Sequence, residues 1–425
     1  MSTPSAQDRE ISPEQLCIGL YVHLDMHWTD HPFTFSSFKI KSLDQIATLQ
    51  SLGLKSLRYS PERSDGQPLD RPADSPAVPP ASVKPLEDDP AYQVKRERLA
   101  RMAAHQAKVA ACERALMSSG RAVKSITQNL FAKPKEAYAE ASTLIGGMAD
   151  SMLVEADVAI QLMADKIGNE DVYFHSLNVA ILSMILAREL KAPAAAVKLV
   201  GLGALLHDIG KADLPDRVVR KFTPLTTAEA AVYQLHCEKG VAMSTAMGVP
   251  AEVRAVIEQH HEMVDGSGYP RRLSGTQLSL LTRIVALVNA YDNLCNPLDP
   301  QRALTPHEAM SIIYGQRRAQ FDATVLTTFV RSVGIYPPGT VVALSNGTLG
   351  MVVAVNSSRP LKPTVLVYDP AVPKDSSVVV DLELEPDVSV ASTLRPSQLP
   401  QEVFDYLSPR KRTTYFFNAD GSKSS

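Results

Sequence analysis

A chain of 425 residues exceeds what one ordinary hydrophobic core can organise, so we expect two or three domains. Its net charge of -3 argues against a broad basic surface for nucleic-acid polymers. The polar start and the short apolar runs predict neither a secretion signal nor a membrane contact. The four cysteines lack CxxC spacing, which fits a reducing compartment, and we expect a cytoplasmic protein.

The first sixty residues mix strand and helix signals. Leu20–Leu24 and Phe33–Phe35 predict short strands, and Ser42–Leu52 predicts a capped amphipathic helix. Residues 8–62 are therefore expected to form a small α+β domain. Residues 63–90 are rich in Pro, Ser and Asp and predict a linker or a disordered loop.

Three histidines in this first domain recur every four residues, which is also the spacing of a metal-binding helix face. They are His23, His27 and His31. Pro32 and the aromatic neighbours argue against a helix here, so we interpret them as solvated histidines or histidines at the edge of the core.

The middle of the chain is dominated by helical periodicity. Residues 91–123 predict a long solvated helix that could mediate a homodimer, and an apolar stripe continues from 135 to 167. Further helices are predicted at about 170–190, 194–207, 226–247, 250–261, 277–295 and 305–333. We divide this region into connecting helices (91–139) and an α-helical bundle (140–334).

The last part of the chain changes to β-branched runs separated by turns. Strands are predicted at 340–344, 350–355, 364–367 and 378–382, with Asn346-Gly347 as a hairpin turn and a short helix near 400–407. We expect a small β-rich domain over 335–412 and a tail over 413–425. The fold class is mostly α, with the bundle flanked by an α+β domain and a β-rich domain.

Histidines and acids recur in the bundle at intervals of about one helix plus its connection. They are His175, the adjacent pair His207-Asp208, His236, the pair His260-His261, Asp292 after an uncharged apolar run, and Asp171 one turn before His175. Each alone could be a hydrogen-bonded polar residue near the core, but together they are hard to satisfy without metal. No serine or cysteine nucleophile lies in a comparable setting, and Cys237 is expected to be buried and inert. The set favours metal-assisted phosphoester hydrolysis.

These motifs resemble a known family. His207-Asp208, His260-His261-Glu262 and Asp-Gly-Ser-Gly-Tyr-Pro at 265–270 are similar to the HD-GYP domain of bacterial cyclic-di-GMP phosphodiesterases, over about 140 to 330. The preceding chain resembles the uncharacterised domain that often precedes HD-GYP domains. The resemblance implies an all-α HD-type bundle and hydrolysis of cyclic-di-GMP to pGpG, and on to GMP in some members.

The family implies a centre of two or three iron or manganese ions. By motif, the implied ligands are His175, His207, Asp208, His236, His260, His261 and Asp292, with Asp208 bridging two ions. Asp171 falls where some members carry a glutamate for a third ion, and aspartate reaches one methylene less far. Lys211 matches a lysine suited to hold the scissile phosphate or to protonate the leaving oxygen, and Asp208 and Lys211 are the implied catalytic residues.

The implied substrate contacts are Lys211, the loop residues Gly268, Tyr269 and Pro270, and Arg302. In some members this loop also contacts diguanylate cyclase (GGDEF) domains. One departure concerns Gln301, which by our alignment occupies a position where many members carry arginine, with Arg302 as the nearest substitute. Glutamine lacks the bidentate fork that arginine offers to phosphate.

Two alternatives from other classes stay open at this point. One is a catalytically slow adaptor that senses cyclic-di-GMP and acts through protein partners, which the Gln301 departure motivates. The other is an HD-superfamily phosphohydrolase that acts on another nucleotide, which the intact Gly-Tyr-Pro loop disfavours.

Overall fold

The computed structural model describes residues 8–26, 31–33, 35–70, 114–154, 160–162, 171–355, 359–370, 372, 374, 377–407 and 415–417. The chain divides into two compact units. The first unit contains the described residues of 1–106, 344–349 and 366–380, and the second contains those of 107–343, 350–365 and 381–425. The domain boundaries given above stay predictions.

The first unit is built on a four-stranded antiparallel sheet and one helix. Its elements are β1 (Arg9–Ile11), β2 (Tyr21–His23), β3 (Ser37–Lys39), α1 (Leu43–Ser51) and β4 (Leu57–Tyr59). The strand order is β1-β4-β2-β3. Ser42 caps α1 by accepting a hydrogen bond from the Gln45 backbone N–H, so the predicted capped helix is confirmed.

The strand predicted at Phe33–Phe35 is wrong. The partner of β2 is β3, in which Lys39 lies opposite Tyr21, and Phe33 lies in a bend before it. The Phe33 ring packs against Phe38, with ring centroids 4.5 Å apart. Phe33 therefore packs against the core although its backbone does not form a strand. Thr34 lies outside the described residues.

The histidines of this unit do not form a helical stripe. His23 Nδ1 lies 2.8 Å from Ser37 Oγ and Nε2 lies 2.9 Å from Ser60 Oγ, which places the ring at the edge of the core as predicted. His31 is buried, and His27 lies outside the described residues.

The second unit is a helical bundle. Its helices are α2 (described over 114–129), α3 (Pro134–Val154), α4 (Asp171–Glu189), α5 (Ala194–Leu206), α6 (Asp216–Val219), α7 (Thr227–Gln234), α8 (His236–Met247), α9 (Ala251–Gln259), α10 (Leu280–Cys295), α11 (Pro306–Gly315) and α12 (Ala323–Val333). Residues 91–113 of the predicted long helix lie outside the description.

Helix α5 lies at the centre of this bundle. It packs against α3, α4, α9 and α10, and most of its residues are buried, from Val197 to Leu206. A helix that is apolar on all sides is expected in such a position. The chain leaves α5 at His207 and continues into a 3-10 turn over Ile209–Asp213, so the His-Asp pair lies at the end of this central helix.

Three helices differ from their predicted extents. The stripe predicted to 167 ends with α3 at Val154, and Ile160 lies instead in a strand, β5 (Ile160–Leu162). The predicted helix 226–247 is interrupted between α7 and α8 at Leu235. The predicted helix 305–333 is interrupted by residues 316–322, where the buried Phe321 continues the apolar periodicity without helical backbone.

The C-terminal strands form a five-stranded sheet. They are β6 (Val341–Leu344), β7 (Leu349–Ala354), β8 (Thr364–Val367), β9 (Val378–Asp381) and β10 (Val390–Leu394), in the order β10-β6-β7-β8-β9. Strand β10 was not predicted because its side chains are half-buried or exposed and it carries Ala, Ser and Thr rather than alternating apolar residues. The predicted Asn346-Gly347 turn is confirmed, since Gly347 N–H donates to Leu344 O at 2.8 Å.

The remaining elements complete a mostly α fold, as predicted. Helix α13 (Gln401–Leu407) confirms the short helix, and β11 (Tyr415–Phe417) pairs antiparallel with β5. In the part of the chain that is described, no helix combines the length and the apolar character that a membrane crossing requires.

Candidate metal centre

The predicted ligands come from five helices of the second unit or from the residues that directly follow them. They are His175 in α4, His207 and Asp208 directly after α5, His236 at the start of α8, His260 and His261 directly after α9, and Asp292 in α10. The spacing along the chain therefore reflects predicted ligands that lie on separate helices of one bundle.

A first ligand cluster consists of His175, His207 and Asp208, with one ligand atom of each within 4.8 Å of the others. His175 Nε2 lies 3.3 Å from His207 Nε2 and 3.7 Å from Asp208 Oδ2. His207 Nε2 lies 3.2 Å from the same oxygen. Two imidazoles and a carboxylate at this separation could hold a divalent metal ion.

A second ligand cluster consists of Asp208, His236, His260 and His261, again within 4.8 Å of one another. His236 Nε2 and His260 Nε2 each lie 3.6 Å from Asp208 Oδ1, and 3.1 Å from each other. Asp208 thus directs Oδ2 to the first cluster and Oδ1 to the second. A carboxylate shared in this way suits a centre of two ions.

The ends of the helices fix the orientation of three of these rings. Nδ1 of His207 lies 2.7 Å from the Ala204 carbonyl, Nδ1 of His236 lies 2.6 Å from the Tyr233 carbonyl, and Nδ1 of His260 lies 2.9 Å from the Ile257 carbonyl. Carbonyls in the last turn of a helix lack intrahelical partners and accept such bonds. With Nδ1 as the donor, each Nε2 carries a lone pair into the cluster.

Unpaired polar atoms at this place fit a metal ion. The facing lone pairs of His236 Nε2 and His260 Nε2 repel each other unless a cation lies between the rings. Asp208 Oδ1 and His261 Nε2 are buried without a hydrogen-bond partner in the described structure. Buried polar atoms are almost always paired, so these two unpaired atoms need a partner. Nitrogen and carboxylate oxygen donors together suit a divalent metal ion as that partner.

Burial favours the neutral imidazoles that metal binding requires. It lowers the pKa of His260 to about 3, with His207 and His236 as contributing neighbours, and it lowers the pKa of His236 and of His261. Burial alone would raise the pKa of Asp208, but His207 and Lys211 hold it well below its usual range. His236, His260 and His261 are therefore neutral near pH 7, beside an ionised Asp208 carboxylate.

Asp292 lies behind His175. Its Oδ2 is 2.6 Å from His175 Nδ1, and its Oδ1 accepts hydrogen bonds from Asn178 at 3.0 Å and from Asn296 at 2.9 Å. Among the described residues Asp292 belongs to neither ligand cluster. In this geometry it orients His175, as a carboxylate behind a ligand imidazole does. Its assignment as a ligand stays a prediction.

Lys211 reaches the centre from the 3-10 turn. Its Nζ lies 2.5 Å from Asp208 Oδ2 and 5.2 Å from the centroid of the Tyr233 ring. The turn passes very close to α8, because a Cβ built on Gly210 would lie 1.9 Å from the His236 carbonyl oxygen. Only glycine fits there, so Gly210 allows Lys211 and His236 to meet at the same carboxylate.

The Gly-Tyr-Pro motif lies in a loop over residues 265–270, the signature loop, which contacts the paired histidines. The Tyr269 ring stacks on His261 with centroids 4.5 Å apart and an interplanar angle of 22°, and Pro270 follows in an exposed position. A Cβ on Gly268 would lie 2.4 Å from the His261 carbonyl oxygen. Glycine at 268 thus permits the backbone approach that brings Tyr269 over the imidazole.

Glu262 was not assigned a role from the sequence. It is fully buried, and its carboxylate accepts the backbone N–H groups of Arg271 at 2.5 Å and Leu273 at 2.9 Å. It thereby ties the end of the signature loop to the histidine pair. The sequence does not reveal this role, because the two amides that Glu262 binds lie nine and eleven residues further along the chain.

The described structure does not test the roles predicted for two further residues. Asp171 is the first residue of α4, and its side chain lies outside the description. Arg302 lies exposed at the end of the 3-10 turn Pro300–Arg302, next to the exposed Gln301. Their assignments to a third ion and to substrate binding stay predictions.

Cys237 is buried beside the second cluster, as predicted. Its Sγ lies 3.5 Å from His236 Nε2, and burial raises the pKa of its thiol to about 12. A thiol with this pKa remains protonated near pH 7 and is a poor nucleophile.

Comparison with known proteins identifies both parts of the chain. Residues 157–325 match the HD domain family, and residues 8–141 match a domain of unknown function, DUF3391. The chain is 32% identical over 363 residues to a cyclic di-GMP phosphodiesterase of Pseudomonas aeruginosa, covering 85% of each protein. It is 34% identical over 149 residues to the cyclic di-GMP phosphodiesterase response regulator RpfG of Xanthomonas campestris pv. campestris, covering 35% of this chain and 39% of that protein.

Among solved structures, an HDG"Y"P protein from Bdellovibrio bacteriovorus covers 76% of this chain and 98% of its own at 16% identity and a TM-score of 0.44. The relationship therefore rests on the sequence matches, which span both the helical bundle and the N-terminal region. With its His-Asp pair, its histidine clusters and its Gly-Tyr-Pro loop, the chain belongs to the HD-GYP family of HD-domain hydrolases.

Proposed function

We propose that this protein is a metal-dependent phosphodiesterase that hydrolyses cyclic-di-GMP, with pGpG as the product and GMP as the alternative end product. The observation that carries the proposal is the Asp208 carboxylate shared by two ligand clusters beside Lys211. The Pseudomonas relative, which the chain matches over 85% of both lengths, is named for the same activity. Nothing in the comparisons favours the adaptor or the phosphohydrolase on another nucleotide.

We assign one ion to the cluster of His175, His207 and Asp208 and another to the cluster of Asp208, His236, His260 and His261. Iron or manganese fits this N,O donor set, with Asp171 available for a third ion. Divalent ions there supply Lewis-acid stabilisation of the phosphate oxygens and make a water molecule acidic enough to attack phosphorus.

The chain's own contribution is to place and balance charge. Asp208 supplies the anion common to both clusters, and Lys211 supplies a cation 2.5 Å from it that can bind the scissile phosphate. Asp292 keeps the His175 ring in place through Nδ1. Tyr269, stacked on His261, closes the second cluster and offers a surface beside the substrate.

Compartment and partners are further parts of the proposal. We place the protein in the cytoplasm, since the described cysteines, Cys17, Cys237 and Cys295, are free. The signature loop is the proposed contact for GGDEF domains, and the helix predicted at 91–123 is the proposed homodimer contact.

The test is turnover of cyclic-di-GMP by protein purified without oxygen, stripped with a chelator and reloaded with manganese or iron. The nucleotides are separated by chromatography. We expect pGpG to accumulate with reloaded protein and not with stripped protein. Absence of turnover with either metal contradicts the proposed function.

A further inference from the structure

A cavity of about 180 Å³ opens beside the histidine pair. His260 and His261 line it together with apolar side chains such as Met263 and Leu294 and with the polar groups of Asn289, Asn293 and Arg317. The lining combines apolar side chains and directional polar groups in nearly equal shares, and such a mixture suits a flat ligand with hydrogen-bonding edges. The lining therefore suits a nucleobase better than a phosphate.

Arg317 is the charged group of this cavity. It lies in the segment between α11 and α12, half-buried, and its Nε donates to Gln320 Oε1 at 2.8 Å. Gln320 in turn accepts the Val264 backbone N–H at 3.0 Å, which ties this segment to the signature loop. No carboxylate in the described part of the chain pairs with Arg317, so its terminal nitrogens are free to donate to a ligand.

The polar groups match the edges of guanine. Guanine presents two acceptors, O6 and N7, and the terminal nitrogens of arginine form a bidentate pair with them. Adenine places an amino donor where guanine has O6, which a guanidinium opposes. Asn293 Nδ2 donates to Asn289 Oδ1 at 2.7 Å, which leaves Asn293 Oδ1 as an acceptor for the N–H donors of guanine.

We propose that this cavity binds one guanine base of the cyclic dinucleotide and that Arg317 selects guanine over adenine there. The inference rests on the proposed function for its choice of ligand. It assigns specificity to a residue outside the His-Asp and Gly-Tyr-Pro motifs, in a segment that carries no functional motif.

The experiment compares wild-type protein with Arg317→Gln, because glutamine pairs with the N6 and N7 edge of adenine. Arg318→Gln is the matched control, since Arg318 is the exposed neighbour and does not line the cavity. Calorimetry on the chelator-stripped proteins, which do not consume the ligand, gives Kd for cyclic-di-GMP and for cyclic-di-AMP. Metal content and melting temperature report on the integrity of each variant.

We expect the preference for cyclic-di-GMP over cyclic-di-AMP to fall by about tenfold to a hundredfold in Arg317→Gln and to stay at the wild-type value in Arg318→Gln. An unchanged preference overturns the inference, whether both affinities are retained or both fall equally. Turnover by the wild-type protein is measured separately. If Arg317→Gln loses the preference for cyclic-di-GMP while the wild-type protein shows no turnover, the guanine pocket is supported and the proposed function is contradicted.

Discussion

At the scale of single residues, Asp208 determines the organisation of the centre. Its two oxygens face different histidine sets, and Lys211 balances its charge. A carboxylate that is mostly removed from water is stable only when such partners surround it. Asp208 is therefore the position where the loss of one charge should affect both ion sites.

Replacement of Asp208 by asparagine tests this directly. The amide keeps the shape but removes the shared anion, so we expect metal content to fall and turnover to drop at least about a hundredfold, since changes even behind a ligand cost tenfold to a hundredfold. Asp213→Asn is the control, because Asp213 lies in the same turn but pairs with Lys239 on the surface. Wild-type metal content and rate in Asp208→Asn would contradict the shared-ligand assignment.

Replacement of Lys211 by glutamine separates binding of the metal from stabilisation of the phosphate. Removal of one positioned cation is expected to lower kcat by about 10²–10³-fold, as for comparable electrostatic groups. The metal content should remain, because Lys211 is not a ligand. The matched control is Lys239→Gln, and steady-state kinetics on cyclic-di-GMP give the result. An unaltered kcat would exclude Lys211 from catalysis.

The sequence predicted that the histidines and Asp208 would meet, because their spacing follows the helices, and their assignment as metal ligands stays a prediction. It did not predict Glu262, Asn178, Asn296 or Arg317, whose roles depend on distant partners. Asn178 and Asn296 reach Asp292 from α4 and from the end of α10, and Glu262 holds amides nine and eleven residues away. Side-chain polarity alone does not reveal such partners.

At the scale of elements, the signature loop is held by one buried carboxylate. Both Glu262 oxygens accept hydrogen bonds from backbone N–H groups. In Glu262→Gln one of these oxygens becomes an NH₂ group, which is a donor and would face a backbone N–H donor. An unsatisfied buried donor costs about 1–3 kcal/mol. We expect faster hydrogen exchange at the Arg271 and Leu273 amides and a raised KM.

The matched control for this change is Glu258→Gln. Glu258 lies 3.7 Å from the Arg271 guanidinium in a partly exposed pair, and such pairs contribute little. If the two variants show the same exchange rates and the same KM, Glu262 does not position the loop.

The strand β2 carries a pH-dependent contact. Burial lowers the pKa of His23 below its usual value near 6.5, partly offset by Asp8. The other charged groups that influence it are Arg58, Arg63 and Asp25. The unfolded chain therefore takes up a proton at a higher pH than the folded chain, so stability is complete above about 6.5 and is lost as the pH falls below it.

We expect the amides of β2 and β4 to lose protection between pH 7.5 and 5.5, measured by hydrogen exchange corrected for the intrinsic rate. His23→Gln should lose less protection over this range, because glutamine does not titrate. Equal losses in the variant and in the wild-type protein would show that His23 is not the group responsible.

Helix boundaries show where periodicity is ambiguous. The interruption at Leu235 has no glycine or proline to mark it, and Leu235 keeps right-handed helical angles. By contrast, the start of α12 was readable, since Asp322 accepts the N–H groups of Thr324 and Val325 as an N-cap. The apolar pattern continues across both breaks. No local signal marks the break at Leu235, whereas the N-cap residue Asp322 marks the start of α12.

At the scale of the whole molecule, the chain combines a helical bundle that holds the centre with an N-terminal unit built on a small sheet. The match to the Pseudomonas phosphodiesterase spans both. The fold class was predictable because helical and strand periods occupy separate parts of the chain. The division of residues 335–412 between the two units was not predictable, because the unit to which a segment belongs depends on contacts between residues far apart in sequence.

The most direct measurement of the central claim is elemental analysis of anaerobically purified wild-type protein, with Asp208→Asn measured in parallel. The two ligand clusters predict about two iron or manganese ions per chain, the stoichiometry of a two-metal hydrolytic centre, and a clear loss in the variant. Wild-type protein that retains neither metal, and takes up neither on reconstitution, would contradict the account.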